Sequence, residues 1–288
     1  MTDPPPPSAQ PALRPRLVAT DLDGTVVRGD GTISARTVEA FARIRDTGAE
    51  FVFATGRPPR LMGPITDAFG PFGTAICSNG ALVYDMGTRS VVAEHAIDPR
   101  TLAETVRRLR AAIPEIGLAV EHATELHGDD RYEAGAWDAD ITVRRPGESG
   151  LWNRPAPKLV GRHPHLSADE LLARAAPELG DLVTVYHSNG ERLVEAIAAG
   201  VSKAHALRHF AADRGITAAE VIAFGDMPND LPMLAWAGTS YAVANAHPSV
   251  LDAVTHVTLS NDEDGVAEVI ERHFPGDTGD TGVVGDPG

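Results

Sequence analysis

Two carboxylates two residues apart, in Asp21-Leu22-Asp23-Gly24-Thr25, can face one crevice if a strand ends just before them and the glycine turns the chain. The first can attack phosphorus, because an aspartate is ionised at neutral pH and serves as a covalent nucleophile. The second can give a proton to the departing oxygen and then take one from the water that opens the acyl phosphate. An acidic turn after a strand has the same composition, so the pattern needs company. In Gly225-Asp226-Met227-Pro228-Asn229-Asp230 two aspartates lie four apart at the expected start of a helix and can converge on one point. Hard oxygens that leave room for water suit Mg2+, at roughly 2.0–2.1 Å. Asn229 and Asp230 would favour a helix start in any case, and the two readings can coexist.

Two further segments fit the same chemistry. Thr55-Gly56-Arg57 offers a hydroxyl and backbone amides that could form a phosphate nest. Lys203, after Gly200-Val201-Ser202, could neutralise both a nucleophile and a transferring phosphoryl group. As isolated features, a plain turn and a solvated lysine would read the same way.

These residues need elements to carry them. Leu17-Val18-Ala19, Phe51-Val52-Phe53-Ala54, Ala75-Ile76-Cys77 and Val221-Ile222-Ala223-Phe224 are short continuous apolar runs. Between them, Ser34 is placed to cap a helix through Val38, Phe41 and Ile44 that Gly48 stops, and 202–214 and 231–237 read as helices. Such alternation predicts a parallel sheet covered on both faces. Ligands then sit beyond the carboxyl ends of the strands, where Asp21, Thr55 and Asp226 all fall. The stretch 85–198 differs: a helix from Pro99 to Ala112, another capped by Ser167, and strands near 118–121, 158–161, 182–186 and 193–197. The expected fold is α/β, a Rossmann-like parallel-sheet core (16–84 and 199–274) with an inserted α+β cap (85–198). The Pro-rich stretch 1–15 and the Gly/Asp/Thr-rich stretch 275–288 are expected to be disordered tails.

The chain has 288 residues, 43% of them apolar, enough for a sizeable core. Its formal net charge of −15 argues against a nucleic-acid partner, which demands a basic surface. An anionic substrate must therefore be drawn by local cations. Cys77 is the only cysteine, so an intrachain disulfide is excluded. Met1 to Arg16 lacks a signal-peptide core and no apolar run approaches membrane-spanning length, so a cytoplasmic protein without membrane partners is expected.

In chain order, the four segments resemble the motifs of the haloacid dehalogenase superfamily, and most closely its Cof-type branch, whose type IIB cap is inserted between the second and third motifs. Ser78-Asn79-Gly80-Ala81, Ala244-Asn245-Ala246 and Asp262-Glu263-Asp264-Gly265-Val266-Ala267 share the likeness, which spans Leu17 to about Arg272. The resemblance implies that Asp21 becomes an aspartyl phosphate and that Asp23 is general acid and base while its carbonyl binds metal. It implies phosphate contacts from Thr55, Gly56, Lys203 and Asn229, and an Mg2+ site made by Asp21, Asp23, Asp226 and Asp230. Asn79, Gly80 and Arg57 become candidate substrate contacts. Ala204 stands where the family commonly has glycine, which affects no catalytic group.

Other signals are weaker. His163-Pro164-His165 could be a metal pair but reads as a loop, and His205 and His209 could ligate a metal but read as an ordinary helix face. Cys77 reads as a small buried hydrophobe; Trp137 and Trp152 read as cap packing. The expected partner is a small phosphorylated metabolite, such as a sugar phosphate, with the substrate and the oligomeric state open. Alternatives are a dedicated glycosyl-phosphate or glycosyl-phosphoglycerate phosphatase and, from another class, a phospho-ligand-binding protein without turnover. The intact Asp21, Asp23, Thr55, Lys203 and Asp226 set argues against the last.

Overall fold

The computed structural model describes residues 14–139, 141–187 and 192–276. The expected disordered tails lie almost wholly outside these residues.

The larger sheet takes strands from both ends of the chain. From the first half come β1 (Leu17–Thr20), β2 (Glu50–Ala54), β3 (Thr74–Cys77), β4 (Leu82–Asp85) and β5 (Ser90–Glu94). The smaller sheet holds β6 (Gly117–Glu121), β7 (Leu126–Gly128), β8 (Val143–Arg144), β9 (Lys158–Arg162), β10 (Val183–Tyr186) and β11 (Leu193–Ala198). The chain then returns to the first sheet with β12 (Val221–Gly225), β13 (Thr239–Ala242) and β14 (His256–Val257). The orders are β14-β13-β12-β1-β2-β3-β4-β5 and β10-β11-β9-β6-β7-β8. All pairs from β14 to β3 are parallel, and β4 and β5 close that edge as an antiparallel hairpin.

Helices α1 (Ala35–Asp46), α2 (Gly63–Phe69), α6 (Lys203–Asp213), α7 (Leu231–Trp236), α8 (Pro248–Leu251) and α9 (Gly265–His273) accompany the large sheet; α3 (Pro99–Ala112), α4 (Glu148–Leu151) and α5 (Ala168–Leu179) accompany the small one. Ser34 accepts from the Thr37 amide and caps α1, as its type predicts. Strands β1 and β12 are buried along their whole length, as strands covered on both faces must be. Phe41 of α1, Phe51 and Phe53 of β2 and Phe69 of α2 pack ring against ring, with centroids 4.9–6.4 Å apart. Phe51 and Phe53 share a face because side chains alternate along a strand. This cluster fixes the strand that delivers Thr55.

Register does the rest. Thr20 of β1 stands level with Phe53 of β2 and Phe224 of β12. Asp21, Thr55 and Asp226 therefore leave neighbouring strands side by side at the carboxyl edge.

The cap boundary differs from the expected one. Residue 85 falls inside the β4–β5 hairpin, and both strands belong to the large sheet, so the core extends to Glu94. The reason is physical. β5 is an edge strand with four of its five residues exposed, so its sequence carries no buried apolar signature. The last strand of the smaller sheet, β11, ends at Ala198.

Candidate active site

Asp21 begins where β1 ends, and its amide donates to Phe224 O across the sheet at 3.1 Å. Its carboxylate is buried and accepts from Lys203 Nζ at 2.5 Å; the same ammonium donates to Asp230 Oδ1 at 2.7 Å. Lys203 opens α6, where the Ser202 hydroxyl caps the helix by accepting from the His205 amide. The other Asp230 oxygen accepts from the amides of Asp226 and Met227, at 3.1 and 3.0 Å. Asp230 thus ties the β12 loop to the lysine with both oxygens engaged.

Asp226 accepts from the Thr25 hydroxyl at 2.9 Å. Gly24 has φ +81°, and a Cβ there would meet Asp226 Oδ2 at 2.4 Å, so only glycine lets the two loops approach this closely. The Gly24 carbonyl accepts from Asn245 Nδ2, whose Oδ1 accepts from the Asn261 amide. Asn261 Nδ2 in turn reaches Val27 O, and Asp262 and Asp264 bind Gly29 N and Arg28. The 244–246 and 262–267 segments therefore brace the nucleophile loop.

Electrostatics mark the cluster. Burial raises the Asp21 carboxyl well above the carboxylate range against the opposing pull of Lys203, and the charges of Asp230, Asp226 and Asp23 raise it further. Burial and then the Asp230 charge push Asp226 up to about 7. Burial opposes the Lys203 ammonium, but Asp21 and Asp230 outweigh it and keep it protonated.

Asp21, Asp226 and Asp230 have carboxylate oxygens within 4.8 Å of one another, and are the one such group of three among the described residues. With all three ionised, three negative charges face the single ammonium of Lys203. A divalent cation balances that excess, and hard carboxylate oxygens suit Mg2+. The residues fit the metal.

On the far side, the Thr55 hydroxyl accepts from the Arg57 amide at 3.0 Å, which leaves its own proton to donate. The Arg57 guanidinium grips Asp23 with two bonds, at 2.8 and 2.6 Å. Arg57 is thus a partner of the second aspartate. Ser78 and Asn79 both adopt left-handed backbone, with φ 47° and 53°, and their amides donate to Arg57 O and Thr55 O. Asn229 Nδ2 donates to Asn79 Oδ1 at 2.8 Å. Gly80 packs so tightly that a Cβ would meet Ser202 O at 2.4 Å.

The cap also reaches this loop, which the sequence reading missed. Lys158 Nζ, 2% exposed, donates to Gly56 O at 3.0 Å and lies between Glu121 and Glu195, at 2.5 and 2.9 Å. Arg60 joins Glu121 at 2.8 Å and the Trp137 carbonyl at 2.8 Å. The available signal was charged residues within otherwise apolar strands, such as Glu195 in Leu193-Val194-Glu195-Ala196-Ile197.

The weaker sequence signals fall outside this centre. His163 Nδ1 accepts from the amides of His165 and Leu166, a local turn. The rings of His205 and His209 lie 4.5 Å apart on α6, tilted by 54°. Cys77 is buried at the end of β3, and burial pushes its thiol up, away from reactivity. Trp152 packs against the cap core.

A parallel sheet with an inserted α+β cap, carrying a buried aspartate, lysine and acidic pair at its carboxyl edge, defines a phosphoryl-transfer hydrolase. Comparison with known proteins agrees. The sequence profile of the haloacid dehalogenase-like hydrolases matches residues 18–270. The chain is 30% identical to a phosphoglycolate phosphatase of Halorubrum lacusprofundi, over 88% of this chain and 95% of that one. It is 26% identical to a pyridoxal phosphate phosphatase of Escherichia coli, over 90% and 98%. A solved haloacid dehalogenase-like hydrolase from Bacteroides thetaiotaomicron superposes with a TM-score of 0.74 at 27% identity, covering 90% of this chain and 99% of its own. The chain belongs to the haloacid dehalogenase-like hydrolases, in their Cof-type branch, and is a phosphatase of that family. Among the described residues, no helix is long and apolar enough to cross a membrane.

Proposed function

We propose that this phosphatase hydrolyses phosphate monoesters of small cytoplasmic metabolites with Mg2+, through an aspartyl phosphate on Asp21. The observation that carries the reading is the buried charge imbalance: Asp21, Asp226 and Asp230 around one lysine, with Asp21 at the mouth of the sheet.

Asp21 and Asp226 would hold the metal, together with the Asp23 carbonyl, and Asp230 would stand behind them. Bound there, Mg2+ supplies positive charge that offsets the acidic cluster and the phosphoryl oxygens. A carboxylate oxygen of Asp21 attacks phosphorus; the bond from phosphorus to the ester oxygen breaks, and Asp23 protonates that oxygen as it leaves. Asp23, now ionised, takes a proton from water, whose oxygen attacks phosphorus, releasing inorganic phosphate and Asp21. Arg57, which pairs with the Asp23 carboxylate, would hold it between these steps. Thr55, Gly56, Lys203 and Asn229 would hold phosphoryl oxygens, where donors fixed in advance are most effective. The cap would exclude water from the acyl phosphate until the alcohol departs.

The relatives named above act on alcohols as different as glycolate and pyridoxal, so no single substrate is carried over. A panel of phosphorylated metabolites, assayed for phosphate release with Mg2+ or with a chelator and beside Asp21→Asn, tests the proposal. Release that needs Mg2+ and vanishes in the variant supports it. Release that survives in the variant overturns the covalent route, and no release from any ester would leave a phospho-ligand-binding protein. One dominant substrate would mark a dedicated enzyme, several weak ones a generalist.

A further inference from the structure

Three consecutive carbonyls of the phosphate loop are each tied to a fixed donor. Thr55 O accepts from the Asn79 amide and Arg57 O from the Ser78 amide, both at 2.9 Å and both within the core. The middle one, Gly56 O, accepts from Lys158 Nζ at 3.0 Å, and Lys158 opens β9 of the smaller sheet. The N–H of the same 56–57 peptide, that of Arg57, donates to the Thr55 hydroxyl at 3.0 Å. One peptide plane is therefore held at its carbonyl by the cap, and at its N–H engages the hydroxyl of a fully buried threonine.

Glycine on one side of that plane leaves it wide rotational freedom unless something stops it. An ammonium has three N–H donors, and those of Lys158 meet Glu121 at 2.5 Å, Glu195 at 2.9 Å and Gly56 O. Burial opposes the ammonium, but the two glutamates outweigh it and keep it charged. A buried charged triad adds little net stability over apolar side chains of the same volume. What it supplies that apolar packing would not is a donor fixed at Gly56 O.

We infer that Lys158 is a positioning residue for phosphoryl transfer: from the cap it sets the 56–57 peptide, and through that peptide it orients the Thr55 hydroxyl. With a Thr55 lone pair engaged by the Arg57 amide, the hydroxyl proton is directed away from that amide, and it has no acceptor among the described residues. A phosphoryl oxygen of the substrate fills that role. Any cap seated on this core has to bring an equivalent donor to Gly56 O. The inference rests on the phosphatase reading, with Thr55 as a phosphate contact.

The test measures kcat, KM and inhibition by orthovanadate, with 4-nitrophenyl phosphate and Mg2+, on variants of the whole chain. Glu195→Gln keeps the ammonium and its bond to Gly56 O, and should keep kcat/KM close to wild type. Lys158→Met/Glu195→Gln removes the donor together with one of the charges it balanced. Its denaturation midpoint should recover relative to Lys158→Met alone, while kcat/KM stays about tenfold or more below wild type and orthovanadate binds correspondingly more weakly. In a Thr55→Val background, Lys158→Met should cost little further activity, because the hydroxyl it orients is gone. Activity that returns with the midpoint, a full additional loss in the Thr55→Val background, or an equal loss in Glu195→Gln overturns the inference and leaves the phosphatase reading intact. A wild-type protein that releases no phosphate from any ester overturns both.

Discussion

Lys203 holds its ammonium 2.5 Å from Asp21, and both groups are almost completely buried. The same nitrogen reaches Asp230, so one cation supports two carboxylates that water does not reach. Removing one partner of a buried pair leaves uncompensated charge. Lys203→Met is expected to lose turnover and about 3–5 kcal/mol of stability. Urea denaturation measures the loss. Adding Asp230→Asn should return part of it, and strict additivity of the two changes would contradict the shared pairing.

Asp21→Asn should behave oppositely in stability. The carboxyl is raised by burial, so an amide of the same shape avoids that cost while Lys203 keeps Asp230. Turnover should fall by roughly three orders of magnitude or more, as when a covalent nucleophile is removed. The denaturation midpoint should be no lower than wild type. A clear drop in midpoint would show that the Asp21–Lys203 pair stabilises more than burial costs.

Arg57→Gln releases the two-pronged grip on Asp23. If Arg57 orients the acid, the variant should slow alkyl phosphates by roughly ten- to a hundredfold and aryl phosphates less, because only the former need their leaving oxygen protonated. Asp23→Asn should show the same bias. Equal losses for the two ester types would assign Arg57 to substrate binding instead.

Lys158→Met removes the ammonium that Glu121 and Glu195 share at the junction of cap and core, leaves Arg60 as the partner of Glu121, and frees the Gly56 carbonyl. The expected cost is about 3–5 kcal/mol, read by denaturation. A rise in KM should accompany it, because the phosphate loop loses its contact with the cap. Lys158→Arg, which keeps the charge, should recover most of the stability.

His122 gives a pH signature independent of the active site. Burial first, and the Arg154 charge next, lower its pKa to about 4 from an ordinary 6.5. The unfolded chain therefore takes up a proton below pH 6.5 that the folded chain refuses. The contribution is fully present above pH 6.5 and is lost as pH falls toward 4. His122→Gln should flatten the decline in denaturation midpoint between pH 7 and pH 5. An unchanged slope would show that His122 titrates normally in the fold.

Most of the chemistry was legible because it lies next to sequence-local signals. Asp21, Thr55 and Asp226 follow short apolar runs, and strand register alone brings their ends together. Lys203 directly follows Gly200-Val201-Ser202, which places it at a helix start. The Arg57–Asp23 pair was not legible, since nothing local ties residue 57 to residue 23. Lys158, Glu121 and Glu195 were hidden for a related reason: each belongs to a different strand of the smaller sheet, and only cross-strand neighbours make them a cluster. β5 escaped because an exposed edge strand lacks the apolar run that announces a buried one.

The two crossings between core and cap meet at one place. The His95 amide, just past β5, donates to Ala81 O at 2.7 Å, and the Ser202 carbonyl leans on neighbouring Gly80. Segment 97–198 thus behaves as a cassette whose two cut points are neighbours. Exchanging it leaves all eight strands of the larger sheet and the serine-capped lysine in place, so selectivity and reactivity can be inherited separately. Lineages could then trade substrates by recombination while the reacting aspartates stay untouched.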